Sequence, residues 1–85
     1  MKKTISNRKT EENTKGLRIM RDNFIFLRQR KGWSVQELSE ISGIAEKILT
    51  NIEKGKDFEV QYLFKLCYIY HIKPHQIFSD ITVKF

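Results

Sequence analysis

The chain of 85 residues has little cysteine, little proline and no long apolar run. Its single cysteine, Cys67, excludes a disulfide within the chain and is typical of a reducing compartment. No apolar run is long enough to span a bilayer, so we expect no membrane partner. The opening MKKTIS passes straight to polar residues without the apolar segment of a signal peptide, so we expect a cytoplasmic protein.

Positive charge is plentiful but unevenly distributed. The formal net charge of +6 suggests a polyanionic partner. Residues 1–31 hold ten basic against three acidic residues, a net charge of +7. Residues 32–85 hold six basic against seven acidic residues, a net charge of −1. Charge alone therefore does not identify a nucleic-acid surface in the second part of the chain.

Residues 1–16 are polar and basic and lack any hydrophobic period. This predicts a flexible basic N-terminal arm, which is either a solubilising tail or an arm that embraces DNA. The whole chain is 40% hydrophobic and 12% aromatic, as in a globular protein, and its length allows one small domain. We predict that this domain spans 17–79 and that 80–85 form a C-terminal tail.

The stretch GWSVQELSEISGIAEKILTNIEKG (32–55) predicts two short helices joined by a tight turn. Ser34 and Glu37 form a capping box, because each side chain satisfies the backbone N–H of the other. Gly43 ends this helix with a residue that tolerates positive φ. The next helix, over about 45–54, has one apolar side and one polar side. Such a pair is typical of a DNA-binding helix-turn-helix.

The rest of the pattern completes a helical domain. Asp57 predicts the N-cap of a fourth helix, and Pro74 suits the first position of a short fifth helix. The tail at 81–85 alternates apolar and polar residues like a strand, which either pairs with a second subunit or packs on its own domain. The five helices are predicted at 17–31, 34–42, 45–54, 58–70 and 74–79.

A resemblance becomes specific along this pattern. From about Phe24 to Phe78 the chain resembles the Cro/repressor-type, or XRE-like, helix-turn-helix family of phage repressors and small bacterial transcriptional regulators. The resemblance implies an all-α fold, a compact five-helix lambda-repressor-like bundle, and a bacterial or phage-encoded protein. The matching residues are Leu27-Arg28, Lys31-Gly32-Trp33-Ser34, Glu37-Leu38, Gly43-Ile44, Leu49, Ile52-Glu53-Lys54-Gly55-Lys56, Leu63-Phe64-Lys65-Leu66-Cys67 and Ile72 to Phe78.

The resemblance also implies which residues contact DNA. The family's base-reading positions fall on Glu46, Lys47 and Asn51, with Thr50 close by. Lysine can donate to guanine and asparagine can bond adenine in two places, while glutamate can accept from cytosine and threonine can offer a methyl to thymine. Equivalents of Arg28 and Glu53 form a partly buried ion pair in the family. The expected phosphate contacts are Lys54, Lys56, Ser34 and Gln36.

Several residues depart from the family pattern. The family often has glutamine at Val35, a hydroxyl at Ala45 and a basic or amide residue at Glu46. Ile25 and Phe26 replace polar surface, so that either the first helix is buried on more of its circumference or this face meets another subunit.

Two functions follow from these observations. The first is a DNA-binding transcriptional regulator, expected to repress as a homodimer on an inverted repeat. The alternative is a protein-interaction module with the same fold, such as an antitoxin or a regulatory partner subunit. We expect no enzyme and no cofactor, because nothing in the sequence resembles a nucleophile–base pair or a phosphate-cradling glycine loop. We also expect no metal, because Cys67, His71 and His75 offer only three ligands, and Pro74 interrupts the helix between the two histidines, so their side chains need not converge.

Overall fold

The structure, a computed structural model, describes residues 4–5 and 11–79, and the described chain is mostly helical. The strands β1 and β2 pair in antiparallel fashion, with Thr4 opposite Glu59 and Ile5 opposite Phe58. No helix among the described residues is long and apolar enough to cross a membrane. The elements in chain order are β1 (Thr4–Ile5), α1 (Glu11–Lys31), α2 (Val35–Ser42), α3 (Glu46–Glu53), β2 (Phe58–Glu59), α4 (Val60–Ile69) and a 3-10 helix (Pro74–Phe78).

The core lies between α1 and the shorter helices. Apolar residues at helical spacing on α1 supply one wall of this core. Trp33 is half-buried and packs against this core. Burial of these side chains is the main force that holds the helices together. The buried apolar residues are Met20, Phe24, Leu27, Leu38, Ile44, Leu49, Ile52, Phe58, Leu63, Leu66, Cys67, Tyr70, Ile72 and Ile77.

A buried amide joins α1 to the end of the domain. The Asn23 side chain, 5% exposed, donates hydrogen bonds from Nδ2 to the carbonyl oxygens of Ile77 and Ser79, both at 2.7 Å. These bonds satisfy a buried polar side chain and two backbone carbonyls together. The 3-10 helix is thereby fixed against α1, although it is too short to be stable alone.

The N-terminal region differs from the predicted flexible arm over 1–16. The helix α1 begins at Glu11, six residues before the predicted start at Leu17, and residues 4–5 form a strand. Two acidic residues at 11–12 favour a helix start there, because they complement the positive end of the helix dipole. Pairing with β2 gives the backbone at 4–5 hydrogen-bond partners. The remainder of the predicted arm lies outside the described residues.

The later elements also differ from the sequence prediction. The expected N-cap, Asp57, is followed by the strand β2, so that α4 begins at Val60 with Glu59 at its N-cap. The predicted fifth helix is a 3-10 helix rather than an α-helix, because five residues starting at Pro74 leave room for few i→i−4 bonds. The predicted tail strand lies outside the described residues.

Candidate nucleic-acid interface

The helix α2 has a complete set of local end signals. The Glu37 N–H donates to Ser34 Oγ and the Ser34 N–H donates to Glu37 Oε1, both at 3.0 Å. At the other end Gly43 has φ +74° and donates its N–H to the Ser39 carbonyl at 2.8 Å. Residues of α2 therefore stabilise both of its own ends.

The helix α3 begins differently. Its N-cap is Ala45, whose methyl group cannot accept a hydrogen bond. The Ala45 carbonyl accepts the N–H groups of Ile48 and Leu49 at 3.0 and 3.1 Å. Two serines of α2 instead bond Ile44, the residue before Ala45. Ser39 Oγ donates to the Ile44 carbonyl at 2.6 Å, and the Ile44 N–H donates to Ser42 Oγ at 3.0 Å.

These serine contacts were not anticipated from the sequence. Serines near the end of a helix usually bond within their own turn or face water. The tight turn at Gly43, with φ +74°, brings Ile44 within reach of both hydroxyls. Two serines in the last turn before such a glycine are the available sequence signal.

The two sides of α3 are clearly distinct. Leu49 and Ile52 are each 1% exposed and face the core. The four predicted base-reading residues lie away from these two positions on the helix, which brings them together on its outer side. Among them the first two are exposed and the last two are half-buried, in the order Glu46, Lys47, Thr50 and Asn51.

Asn51 has a second environment beside β2. Its carbonyl accepts the Lys56 N–H at 2.8 Å, which closes the loop after α3. Asn51 also lines a surface cavity of about 270 Å³, which residues of β2 and α4 line as well. The other residues that line the cavity are Ile48, Asp57, Phe58, Glu59 and Tyr62.

The predicted phosphate contacts lie at two places in the motif. Ser34 and Gln36 are exposed at the start of α2, where helix N–H groups and the dipole favour an anion. Lys54 and Lys56 are exposed just after α3. All four side chains are therefore accessible to a polyanion.

Arg28 of α1 and Glu53 at the end of α3 form a two-point ion pair. Arg28 Nε donates to Glu53 Oε2 at 2.8 Å, and Nη2 donates to Oε1 at 3.0 Å. The third guanidinium nitrogen, Nη1, donates to the Trp33 carbonyl at 2.7 Å. The side chains are 16% and 14% exposed, and the hydrogen bonds to Glu53 raise the pKa of Arg28. This pair ties the C-terminal end of α3 to the scaffold.

Aromatic rings pack beside this pair. The Trp33 ring stacks on Tyr70 with centroids 6.1 Å apart, and the Phe24 ring centroid lies 6.3 Å from that of Tyr70. Burial raises the pKa of Tyr70, whose hydroxyl has no hydrogen-bond partner in the part of the chain that the structure describes. Lys31 Nζ lies 6.0 Å from the Trp33 ring centroid, a cation–π distance.

The cysteine and the two histidines that the sequence raised as metal ligands differ in environment. Cys67 is buried in the core, and burial raises the pKa of its thiol to about 11, so that the thiolate is disfavoured. His71 and His75 are exposed. Within 15–79, where side chains are described, no three His, Cys, Asp or Glu residues lie together in a metal-binding group.

Comparison with known proteins agrees with this geometry. The family model of the Cro/C1-type HTH DNA-binding domain matches residues 25–82, which is more than half of the chain and includes α2 and α3 entirely. No curated protein and no solved structure matches the chain significantly. The match over this length, on a chain that folds into the motif, shows that the protein belongs to the Cro/C1-type helix-turn-helix DNA-binding family.

Proposed function

We propose that the protein is a sequence-specific transcriptional regulator that binds double-stranded DNA through α3. The observation that carries this proposal is the polar outer side of α3, supported from behind by two buried residues and at its end by the Arg28–Glu53 pair. A recognition helix needs this combination, because its side chains can discriminate bases only if the helix itself is held in place.

In this proposal α3 enters the major groove and α2 crosses the backbone above it. Lys47 would donate to guanine, Asn51 would bond adenine, and Glu46 would accept from the cytosine amino group. The Thr50 methyl would contact thymine. Because Glu46 is unfavourable near phosphates, its contact with a cytosine would add discrimination rather than affinity.

Affinity would come from the basic residues outside α3. Lys54 and Lys56 lie beside the recognition helix, where they can contact the sugar-phosphate backbone. The N-terminal third, with its net charge of +7 from ten basic and three acidic residues, supplies a wider positive field.

The regulator would act as a homodimer on an inverted repeat. A two-fold dimer places two recognition helices in successive major grooves, which requires half-sites about 10 bp apart. Such a dimer over a promoter would repress by occluding polymerase.

Selection of bound duplexes from a randomised pool, at about physiological salt, tests the proposal. Recovery of a palindrome with half-sites about one helical turn apart is the expected result. Folded protein that enriches no sequence would contradict it.

The phosphate contacts are tested by salt dependence. The double variant Lys54→Gln/Lys56→Gln should lower the slope of log affinity against log salt by about two units, equally for all sequences. Lys73→Gln removes an exposed lysine outside the motif and is the matched control, with an unchanged slope expected.

A second candidate function is a protein-interaction module that keeps this fold without reading DNA, such as an antitoxin or a partner subunit. It is favoured by two exposed aromatic side chains one turn apart on α4, Phe64 at 53% and Tyr68 at 81% exposure. A module of this kind would show only weak, salt-sensitive duplex binding without sequence enrichment.

A further inference from the structure

The start of α3 is held by hydroxyl groups of the preceding helix rather than by a cap of its own. Ser39 Oγ donates to the Ile44 carbonyl at 2.6 Å, and the Ile44 N–H donates to Ser42 Oγ at 3.0 Å. We propose that Ser39 and Ser42 are positioning residues that fix the direction in which α3 leaves α2. The inference rests on the proposed function, because the direction of α3 sets where its side chains meet base edges.

Burial makes both contacts necessary. Ile44 is 1% exposed and Ser42 is 5% exposed, so water has little access to the Ile44 backbone groups, although Gly43 and Ala45 on either side are exposed. A buried backbone N–H or carbonyl without a partner costs stability. The two hydroxyls satisfy the donor and the acceptor of Ile44, and the two bonds together constrain the orientation of Ile44 relative to α2.

The constraint passes directly to α3. Ile44 is bonded to Ala45, and the Ala45 carbonyl accepts the first helical N–H groups, from Ile48 and Leu49. At the far end of α3 the carboxylate of Glu53 is held by Arg28. The helix is therefore fixed at its start by α2 and at its end by α1.

Small displacements matter for base recognition. The helix α3 has eight residues and is about 12 Å long. If its start tilts relative to α2, the outer side chains are displaced, and the displacement grows with their distance from the start. Hydrogen bonds to bases tolerate only a few tenths of an ångström. Loss of one constraint should therefore reduce discrimination between sequences more than it reduces binding to phosphates.

Ser39→Ala in the full chain is the test, since Ser39 is half-buried and its removal leaves the core intact. Amide hydrogen exchange should show protection at Ile48 and Leu49 falling roughly 3- to 10-fold, the factor that one hydrogen bond typically contributes. The affinity ratio between the selected duplex and a scrambled duplex should fall by a similar factor. Amide protection and the affinity ratio are both measured under conditions where circular dichroism shows fully folded protein. Lower global stability alone then leaves the affinity ratio unchanged.

Two variants make the result specific. Ser79→Ala removes a similar bond, from Ser79 Oγ to the Gln76 carbonyl at 2.9 Å, in the 3-10 helix region, and should leave both measurements unchanged. Ser39→Thr keeps a hydroxyl and should restore both to within about twofold of the original chain.

Unchanged protection at Ile48 and Leu49 in Ser39→Ala would overturn the positioning role. If Ser39→Ala does not fold, Ser39→Cys is measured in its place. Its thiol is a weaker donor than the hydroxyl, so protection at Ile48 and Leu49 should fall below that of the original chain, and unchanged protection would overturn the role equally. Should the original chain select no duplex while Ser39→Ala still loosens these amides, the proposed function fails and the positioning role stands.

Discussion

The two helices of the motif obtain their stability in different ways. The helix α2 has a capping box at its start and a glycine in the left-handed region after its end, all within ten consecutive residues. The helix α3, of the same length, has Ala45 at its N-cap and depends on Ser39 and Ser42 of α2 and on Arg28 of α1. The helix α2 is therefore stabilised by residues next to it in the sequence. The helix α3, which is proposed to contact bases, is stabilised by residues of neighbouring helices.

This difference has a physical consequence for recognition. An N-cap side chain stabilises a helix but does not fix its orientation, because it bonds the helix to itself. Contacts from other elements fix orientation as well as stability. Substitutions at α3 anchors should therefore affect both folding and DNA discrimination, while those at α2 caps should affect folding and, at Ser34, contact with phosphates, but not discrimination between sequences.

The largest expected effect is at the far anchor of α3. Glu53→Ala leaves the largely buried guanidinium of Arg28 without its carboxylate, and removal of one partner of a buried pair typically costs about 3–5 kcal/mol. Denaturant unfolding measures this loss. Glu46→Ala, an exposed acid on the same helix, is the control, and an equal effect of the two would break the comparison.

A smaller loss is expected at the α2 cap. Ser34→Ala removes one half of the capping box and should lower the free energy of unfolding by about 1 kcal/mol. Hydrogen exchange should increase at the α2 N-terminal amides and remain unchanged in α3. Loosening of α3 amides instead would show that the two helices are not stabilised separately.

The helix C-termini allow a reciprocal test. Gly43 after α2 and His71 after α4 both have positive φ, +74° and +56°, and His71 sits in a Schellman arrangement in which the Ile72 N–H bonds the Cys67 carbonyl at 3.0 Å. His71→Gly should raise the free energy of unfolding by up to about 1 kcal/mol, whereas Gly43→Ala should lower it by about 1 kcal/mol. An added Cβ at Gly43 meets Lys65 Nζ at an ordinary 3.6 Å, so backbone strain rather than a clash would be measured. Thermal unfolding that ranks the two variants the other way contradicts this account.

The smallest effect concerns Tyr70, next to the α3 anchor. Tyr70→Phe removes a buried hydroxyl that lacks a partner among the described residues, and should raise stability by up to about 1 kcal/mol. Because burial raises the pKa of Tyr70, the folded state disfavours the phenolate, so stability is lost as pH rises above the ordinary value of about 10. The free energy of unfolding, measured at pH 7 and above pH 10, should fall less between the two in Tyr70→Phe than in the original chain. A loss of stability at pH 7 would indicate that the hydroxyl is bonded, for instance through water.

Features that depend on residues close together in the sequence could be predicted, whereas features that depend on distant residues could not. The bounds and both caps of α2 were accessible because Ser34, Glu37 and Gly43 act over short sequence distances. The β1–β2 pair was missed because its partners lie more than fifty residues apart and each strand has two residues, too few for an alternating pattern.

The candidate site divides in the same way. The placement of the outer residues of α3 followed from helical spacing and the family resemblance, and Arg28 contacts Glu53 as that resemblance implied. The bonds of Ser39 and Ser42 to Ile44 were missed, because two serines before a glycine mark the turn, whereas the groups that they bond depend on the three-dimensional path of the turn. The early start of α1 was missed because its first turn has no apolar residues to mark it.

Asn51→Ala tests most directly whether α3 reads bases. Selection from a randomised duplex pool, done in parallel with the original chain and with Asn51→Ala, gives the base preference at every position. We predict that the original chain yields a palindrome and that Asn51→Ala loses preference at one position per half-site, with a cost of roughly 1–3 kcal/mol on the selected duplex. Identical preferences and affinities for the two proteins would contradict the account.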